Sequence, residues 1–440
     1  MKPFLKPIID LIFIVLLALY ILAGVALVPF HADEATQVYM SHDYAYQFLQ
    51  RDLNLITYHD PPISPQEQEL RMLNGSINKY LIGLAWHFAG FNIEHLNQQW
   101  DWGADFNYNL TTNHAPAQAL LMAARIPSAL LLASGVLWIF LIGLQLDGRP
   151  TAYLAALFYA LNPLLLVNGR RAMMEGSFIA FTLLAVLAAI YWMKASGNRL
   201  WIISALLGIA SGLAFASKHT ALFVAAPILG ACFLWALVCI IRGDTRQQGV
   251  HALLSLLLAG GLAALVFYAL NPAWWGDPLH RAGEVLALRE RLLSEQMNVF
   301  GGYPDFGASV SGFFNHVFIG QPQYFEIAGW ENYISDQIAA YEASPWAGIA
   351  IGGSIIGGLL LLTLTLIGFA RLFVRSAILS GARMIVLVWA VAALASTLLL
   401  TPLDWARYYL PAVPVVGLLF AYGLAGLFQF LRGKFRGRAG

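Results

Sequence analysis

Charge is what this chain has least of: Asp, Glu, Lys and Arg make up 11% of its 440 residues, against about 25% in a soluble globular domain. Hydrophobic residues reach 59% and the mean hydropathy is +0.66. No soluble core absorbs that much apolar surface, so lipid is the expected solvent. The net charge of +1 offers no field that would suit nucleic acid. Cysteine is nearly absent. Cys232 and Cys239 share one apolar run, and on a helix their Cα atoms stand roughly 10 Å apart, too far for a disulfide. They read as small apolar fillers. No P-loop and no Rossmann glycine fingerprint occurs in a strand–helix setting, which leaves a soluble nucleotide donor without support. No internal repeat marks two inverted halves. No H-E-x-x-H or comparable cluster occurs, so His31, His42, His59, His114 and His219 read as ordinary loop histidines. No metal site and no cofactor is predicted, and dependence on a divalent metal stays open.

What is present is a series of charge-free apolar runs: Leu11–Phe30, Ile126–Leu146, Thr151–Gly169, Gly176–Met193, Leu200–Ser217, Thr220–Ile241, Ala252–Gly276, Ala343–Ala370, Met384–Leu403 and Tyr408–Leu431. Each approaches or exceeds the roughly 18–20 residues of a spanning helix. The expected fold is therefore an all-α integral membrane protein of about ten transmembrane helices, one polytopic domain over 1–440. The first run is too long for a signal-peptide core and is kept as a helix. With the N-terminus cytoplasmic, the inner segments collect Lys2, Lys6, Arg149, Lys194, Arg199, Arg242, Arg246, Arg371, Arg375, Arg383, Arg432, Lys434, Arg436 and Arg438, while the short outer loops hold only Arg170, Arg171, Lys218 and Arg407. This bias places both termini in the cytoplasm. Two long segments, about 31–125 and 277–342, then lie outside. In the first, Ile77, Tyr80, Leu81, Leu84, Ala85 and Phe88 recur at helical spacing and predict an amphipathic helix on the membrane surface. A weaker pattern covers Thr36–Leu49. Val285, Leu288, Leu292 and Leu293 mark another amphipathic helix in the second segment.

Four features at the outer edge could carry chemistry. His31-Ala32-Asp33-Glu34 follows the first span, and a carboxylate there can serve as a general base; the plainer reading is a membrane-edge marker or a helix cap. Arg170 and Arg171 on a short outer turn break the positive-inside bias and suit an anionic ligand, although Arg171 and Glu175 are four apart and could neutralise each other. Lys218 sits at the junction of two spans, facing a lipid phosphate or merely snorkelling to the interface. Asp404-Trp405-Ala406-Arg407-Tyr408-Tyr409 supplies a further outer cation, or only an aromatic belt with an i,i+3 ion pair. Taken together, carboxylates and cations fall on one face of the bilayer at helix ends. That combination suits a phosphate-bearing lipid carrier and a hydroxyl to be deprotonated.

These stretches resemble the membrane-embedded glycosyltransferases of the GT-C class, which take sugar from a polyprenyl-phosphate carrier: protein O-mannosyltransferases, aminoarabinose transferases and the wider dolichyl-phosphate-mannose-type enzymes. Asp33-Glu34-Ala35 resembles the family's Asp-Glu pair, and His59-Asp60-Pro61-Pro62 its His-Pro-Pro stretch, here interrupted by Asp60. Ala124-Arg125-Ile126-Pro127-Ser128 resembles the start of the second span. Asn162-Pro163 through Arg170-Arg171-Ala172-Met173-Met174-Glu175 resembles the Pro…Arg…Glu/Asp turn. Gly212 to Lys218 resembles the Gly-Leu-Ala…Lys segment, and Arg407-Tyr408-Tyr409-Leu410-Pro411 the late Arg-Tyr-x-Leu-Pro motif. An additional polar segment, Ile63–Asn74, separates the proline stretch from the amphipathic helix.

The resemblance implies sugar transfer from an undecaprenyl- or dolichyl-type phosphate to a hydroxyl acceptor (protein, lipid or glycan) by single inverting displacement. Asp33 would be the base, with Glu34 beside it. Lys218, Arg170, Arg171, Arg407 and Lys79 would contact the carrier phosphate, and Glu175, His59 and Tyr408 would support the site. The expected location is a bacterial plasma (inner) membrane with the active site on its outer face. A flippase for lipid-linked sugars is the competing class, and it wants charges deep within the spans. A lipid-diphosphate-dependent polymerase or ligase shares nearly all of these features.

Overall fold

The computed structural model describes residues 5–242, 245–373 and 381–436, and the regular elements there are all helical. Lys2, Arg375 and Arg438 lie outside the described residues, as does the side chain of Arg436. In chain order the main helices are α1 (Leu5–Ala23), α2 (Ala32–Met40), α3 (Pro65–Leu73), α4 (Ser76–Phe88), α5 (Gln118–Asp147), α6 (Arg149–Leu161), α7 (Pro163–Arg170), α8 (Glu175–Trp192) and α9 (Asn198–Ser217). They continue as α10 (Leu222–Ile241), α11 (Arg246–Leu270), α12 (Pro278–Phe300), α13 (Phe306–Phe314), α14 (Glu331–Glu342), α15 (Ile355–Leu372), α16 (Gly381–Leu399) and α17 (Val413–Arg436).

Among the described residues nine helices are long and apolar enough to cross a membrane, and a tenth span results if α6 and α7, bent by 57°, count as one. The chain is a multi-pass membrane protein. The bend has a local cause: Pro163 offers no N–H to continue α6, and the Asn162 side chain instead caps the new helix by accepting from Leu165 N at 3.1 Å. Helices approach closely where glycine removes the side chain. A Cβ at Gly208 or Gly212 of α9 would stand 2.4 Å and 2.7 Å from the carbonyls of Ala259 and Ala263 on α11, which is the small-residue packing of helices in lipid. The buried Trp192 indole on α8 is satisfied by Ser204 and Ser255, both at 3.0 Å, tying α8, α9 and α11 together.

Several spans differ from their expected bounds: α1 ends at Ala23 in place of Phe30, α5 begins at Gln118 in place of Ile126, and α11 covers Arg246–Leu270 in place of Ala252–Gly276. The run beginning at Ala343 turns helical only at Ile355, because Gly348 and Gly353 adopt φ of +90° and +61° and Ser354 then caps the helix through Gly357 N. The first span starts six residues earlier than its charge-free core. α1 includes Asp10, neutralised by Arg149 at 2.9 Å and Tyr153 at 2.6 Å.

The two long loops lie together at the opposite end of α1 from Asp10. In the first, α2 is followed by a short turn and a π-helical stretch, Ala45–Gln50, within the expected 36–49 region. The polar segment Ile63–Asn74 folds as α3. On α4, Asn78, Lys79, Ile82 and Trp86 are buried, while Leu84 and Phe88 of the predicted apolar stripe are exposed. An aromatic cluster joins the loops: Trp100, Phe106 and Trp330 pack mutually, and Phe106 stacks on Tyr333 at 4.8 Å.

Candidate active site

The first turn of α2 sets the geometry. His31 Nδ1 accepts from the Asp33 amide at 3.1 Å, and Glu34 accepts from the His31 amide at 3.1 Å, a reciprocal cap that fixes both carboxylates. They point in different directions. Glu34 is fully buried and forms a fork with Arg125, both bonds at 2.7 Å, and it also accepts from Ala172 N at 2.8 Å. Burial opposes its charge, but the Arg125 and Arg171 charges outweigh that and hold its carboxyl below the usual range. Arg125 also donates to the carbonyls of Val28 at 2.9 Å and Val25 at 3.3 Å. Glu34 thus braces the turn after α1 against α5 and the α7–α8 turn.

Asp33 is the open member, with its side chain 27% exposed, and it pairs with Arg407. Arg407 also approaches Glu326 of the second loop at 3.4 Å. Glu326 is held by His31 Nε2 at 2.6 Å. Since Nδ1 of His31 is used as an acceptor, Nε2 carries the proton and donates. Burial opposes charge on Glu326, yet His31 and Arg171 keep its carboxyl depressed. Residues distant in sequence thus meet around Asp33, from α2, the second loop and the turn before α17.

A second group of cations gathers around Tyr408. Lys218, at the end of α9, donates to Glu175 at 3.0 Å and lies 5.9 Å from the Tyr408 ring. One of its three donors is used there. Arg407 lies 5.6 Å from the same ring. Arg289 of α12 donates to the Leu73 carbonyl and lies within Coulomb range of Tyr408 and His219. Burial pushes it below arginine's usual value, and among the described residues no carboxylate pairs with it. Several buried polar atoms near this group lack partners: both ring nitrogens of His219, Trp274 Nε1 and Glu175 Oε2. Gly75 lets α4 sit against this wall, since a Cβ there would stand 2.1 Å from the Ser217 carbonyl.

Other expected site residues are committed elsewhere. Arg170 is fully buried, donating to Ile21 O at 2.7 Å, Tyr20 O at 2.9 Å, Tyr341 Oη at 2.7 Å and Trp346 O at 2.5 Å. It closes the carbonyl end of α1 and has no free edge for a phosphate. Arg171 is likewise buried, donating to Pro29 O at 3.1 Å and Tyr324 O at 2.8 Å. The expected Arg171–Glu175 pair is replaced by Lys218–Glu175, and the Asp404–Arg407 pair by Arg407–Asp33. Asp404 instead accepts from Tyr303 at 2.7 Å and contacts His316 at 2.6 Å. Lys79 is buried in an ion cluster with Asp43 at 2.5 Å, not at a phosphate-accessible surface. His59 holds its own loop together through Asn54 O at 2.7 Å and Gln68 at 2.9 Å.

Glu326, Arg289 and His316 were not legible as site residues, because each sits in the second loop without a neighbouring motif. Arg125 was visible only as a helix-start marker. Among the described residues no three His, Cys, Asp or Glu side chains converge on a point that could hold a metal ion.

Residues 72–271 match the family described as dolichyl-phosphate-mannose-protein mannosyltransferase. No curated protein matches the chain. Among solved structures, the apo oligosaccharyltransferase of Archaeoglobus fulgidus is similar over 100% of this chain and 53% of its own, with a TM-score of 0.53 and 13% identity. The same enzyme in complex with zinc and sulfate matches 95% of this chain and 49% of its own, at 0.52 and 16%. Tethered to an acceptor peptide containing the NVT sequon, it matches over 98% and 51%, at 0.50 and 15%. The chain spans about half the length of these structures, and the likeness is one of fold. The family segment lies within a chain whose whole length shares that fold.

Proposed function

We propose that the chain transfers a sugar from a polyprenyl-phosphate carrier to a hydroxyl acceptor on the non-cytoplasmic face, with Asp33 as the base. One observation carries this reading. Of the three carboxylates gathered around His31 and Arg407, Glu34 and Glu326 are locked by Arg125 and His31, while Asp33 is the most open, its side chain 27% exposed. The acceptor hydroxyl gives its proton to the Asp33 carboxylate as its oxygen attacks the anomeric carbon. The bond from that carbon to the carrier phosphate breaks, and the electron pair leaves on the phosphate oxygen with inversion. Lys218 and Arg289 receive the growing negative charge, Lys218 through its unused donors and Arg289 as a half-buried cation without a carboxylate. Arg407 joins the two halves, holding Asp33 from one side and facing Tyr408 on the other. Glu34, Arg125, Arg170 and Arg171 keep the base in place without touching substrate. The donor is an undecaprenyl- or dolichyl-type phosphate sugar, and the site lies on the outer face of a plasma membrane with both termini inside.

The test is transfer from a panel of radiolabelled polyprenyl-phosphate sugars in membranes carrying wild type or Asp33→Asn. Label reaching an acceptor in wild type, with loss of at least about a hundredfold in the variant, is expected. Near-normal transfer by Asp33→Asn would remove Asp33 from the base role. No transfer by wild type from any donor would remove the transferase reading itself.

A further inference from the structure

α4 runs for 13 residues, and its first turn is inside the protein: Gly75, Ser76, Asn78 and Lys79 are all buried. The first N–H groups of any helix have no acceptor within it, so a buried helix start needs a cap. Here Gly75 takes the cap position and has no side chain to offer. Among the described residues, the N–H groups of Ser76, Ile77 and Asn78 donate to no acceptor. Ser76 opens the helix, so its hydroxyl stands at the same end. The residue is 1% exposed, and its Oγ also lacks a partner. Open amides, a buried hydroxyl and the positive end of the helix dipole together suit an anion.

Three elements of the candidate site meet at this helix start. From α9, the Ser217 carbonyl comes so near Gly75 that a Cβ there would stand 2.1 Å away, which sets Lys218, the next residue, beside it. Lys218 gives one donor to Glu175 at 3.0 Å and keeps two more. From α12, Arg289 donates to the Leu73 carbonyl, two residues before Gly75. From α2, Gln37 accepts from the Asn78 side chain at 3.0 Å, and Gln37 is one helical turn along from Asp33. Two cations and an uncapped helix start therefore border one place, and α2 brings the base to within a turn of it.

We infer that the α4 start, with Ser76, is the seat of the leaving phosphate, and that it holds the spent carrier more tightly than the sugar-bearing one. The inference rests on the transferase reading and adds how the product is retained. The donor is a phosphodiester with one negative charge. When the bond from the anomeric carbon to the phosphate oxygen breaks, its electron pair stays on that oxygen. The acceptor's proton goes to Asp33, and the phosphate receives none. The carrier is then a phosphate monoester with a charge of about −1.5 to −2. Donors aimed at it strengthen as the bond breaks, and so favour the transition state over the bound donor. Lys218 and Arg289 supply charge, while the Ser76 hydroxyl and the α4 amides supply directed hydrogen bonds to the oxygens. The same contacts persist after transfer, so the spent carrier competes with fresh donor.

The test is inhibition of sugar transfer by the full-length protein, with three probes: a polyprenyl phosphate, the same polyprenol without its phosphate, and inorganic phosphate. The polyprenyl phosphate is expected to compete with donor at a concentration about tenfold below donor half-saturation, and the other two probes to be far weaker. Ser76→Ala should weaken that inhibition and lower the maximal rate, each about tenfold, with donor half-saturation little changed. Ser76→Asp separates binding from folding. A carboxylate at a helix start stabilises the helix, so the thermal midpoint should hold. It also fills the place of the phosphate, so transfer and inhibition should both be lost. Ser76→Asp that keeps both would overturn the inference, because the helix start would then be only structural. Polyprenyl phosphate no tighter than donor, or inorganic phosphate as effective as the lipid, would overturn it as well. Wild type inert toward every donor would be a failure of the transferase reading. Binding of labelled polyprenyl phosphate to wild type and not to Ser76→Asp would then still locate the seat, and equal binding to both would refute it.

Discussion

Asp33 and Glu34 are neighbours of the same chemistry with different tasks, and their partners decide which is which. Glu34→Ala would leave the Arg125 guanidinium buried without its carboxylate, a change that costs about 3–5 kcal/mol when a buried pair is broken. The expected result is a marked fall in the thermal midpoint of detergent-purified protein. Lys218→Ala and Arg289→Ala make a contrasting pair with Arg170→Met. The first two should each raise the half-saturating donor concentration about tenfold, as loss of one charge-assisted contact does; Arg289→Ala should have little effect on the thermal midpoint, while Lys218→Ala should also lower it, because it leaves the buried Glu175 without its cation. Arg170→Met should lower the midpoint, since four acceptors lose their donor, and leave donor saturation in the surviving protein unchanged. Equal donor effects from all three would restore Arg170 to the phosphate site. The sequence made the cations visible but not their partners. A buried arginine on a short turn looks the same whether its acceptor is a lipid phosphate or the end of a helix. For Arg170 two acceptors lie about 150 residues upstream, at Tyr20 and Ile21, and two lie 171 and 176 residues downstream, at Tyr341 and Trp346.

At the scale of elements, the turn after α2 is joined to α3 and α4 by ions rather than by apolar packing alone. Asp43 contacts Arg71 at 2.7 Å and Lys79 at 2.5 Å, Glu67 contacts Arg71 at 2.7 Å, and His42 lies 3.2 Å from Asp43 and 3.6 Å from Glu67. Hydrogen bonding from His42, against some burial and with help from Arg71, holds Glu67 at about 2 in place of an ordinary 4.5. For Asp43, burial is outweighed by Lys79, His42 and Arg71, and its carboxyl also lies well below the usual range. For His42, burial is outweighed by the hydrogen bonds to Asp43 and Glu67, and its imidazole is raised above 6.5. The linkage has two signs. The carboxylates contribute in full above their ordinary values, and Glu67 loses its share as pH falls from 4.5 toward about 2. The His42 contribution is full below 6.5 and disappears as pH rises through the raised value. His42→Gln should therefore lower the thermal midpoint most at mildly acidic pH, with the gap to wild type closing on the alkaline side. A gap independent of pH would mean His42 acts by packing alone. The spans were legible because lipid imposes long apolar runs, and the errors fell where polarity and helix part company. α1 continues past Asp10 because Arg149 and Tyr153 neutralise it, and α15 starts late because two glycines with positive φ interrupt an apolar run. Lys79 was visible as a cation on the amphipathic helix, but its partner, Asp43, comes from a stretch with only a weak helical pattern.

At the scale of the molecule, the site exists only where the two long loops meet. The first loop supplies Asp33 and His31 and the second supplies Glu326 and Arg289, while the turn before α17 supplies Arg407. All of this lies at one end of a bundle whose other end carries the Asp10–Arg149 and Asp147–Arg371 pairs. Leu279 on the second loop is 86% exposed, and Lys194, at the end of α8, lies exposed on the opposite side of the bundle. The native cysteines, Cys232 and Cys239, are buried and should stay silent toward a membrane-impermeant maleimide. Leu279→Cys should therefore be labelled in intact cells, and Lys194→Cys only after the membrane is opened, if the excess of Lys and Arg fixes the bundle as the positive-inside rule requires. The reverse pattern would place Asp33 in the cytoplasm. Acceptors would then have to be cytoplasmic, and the carrier would have to present its sugar before crossing the membrane.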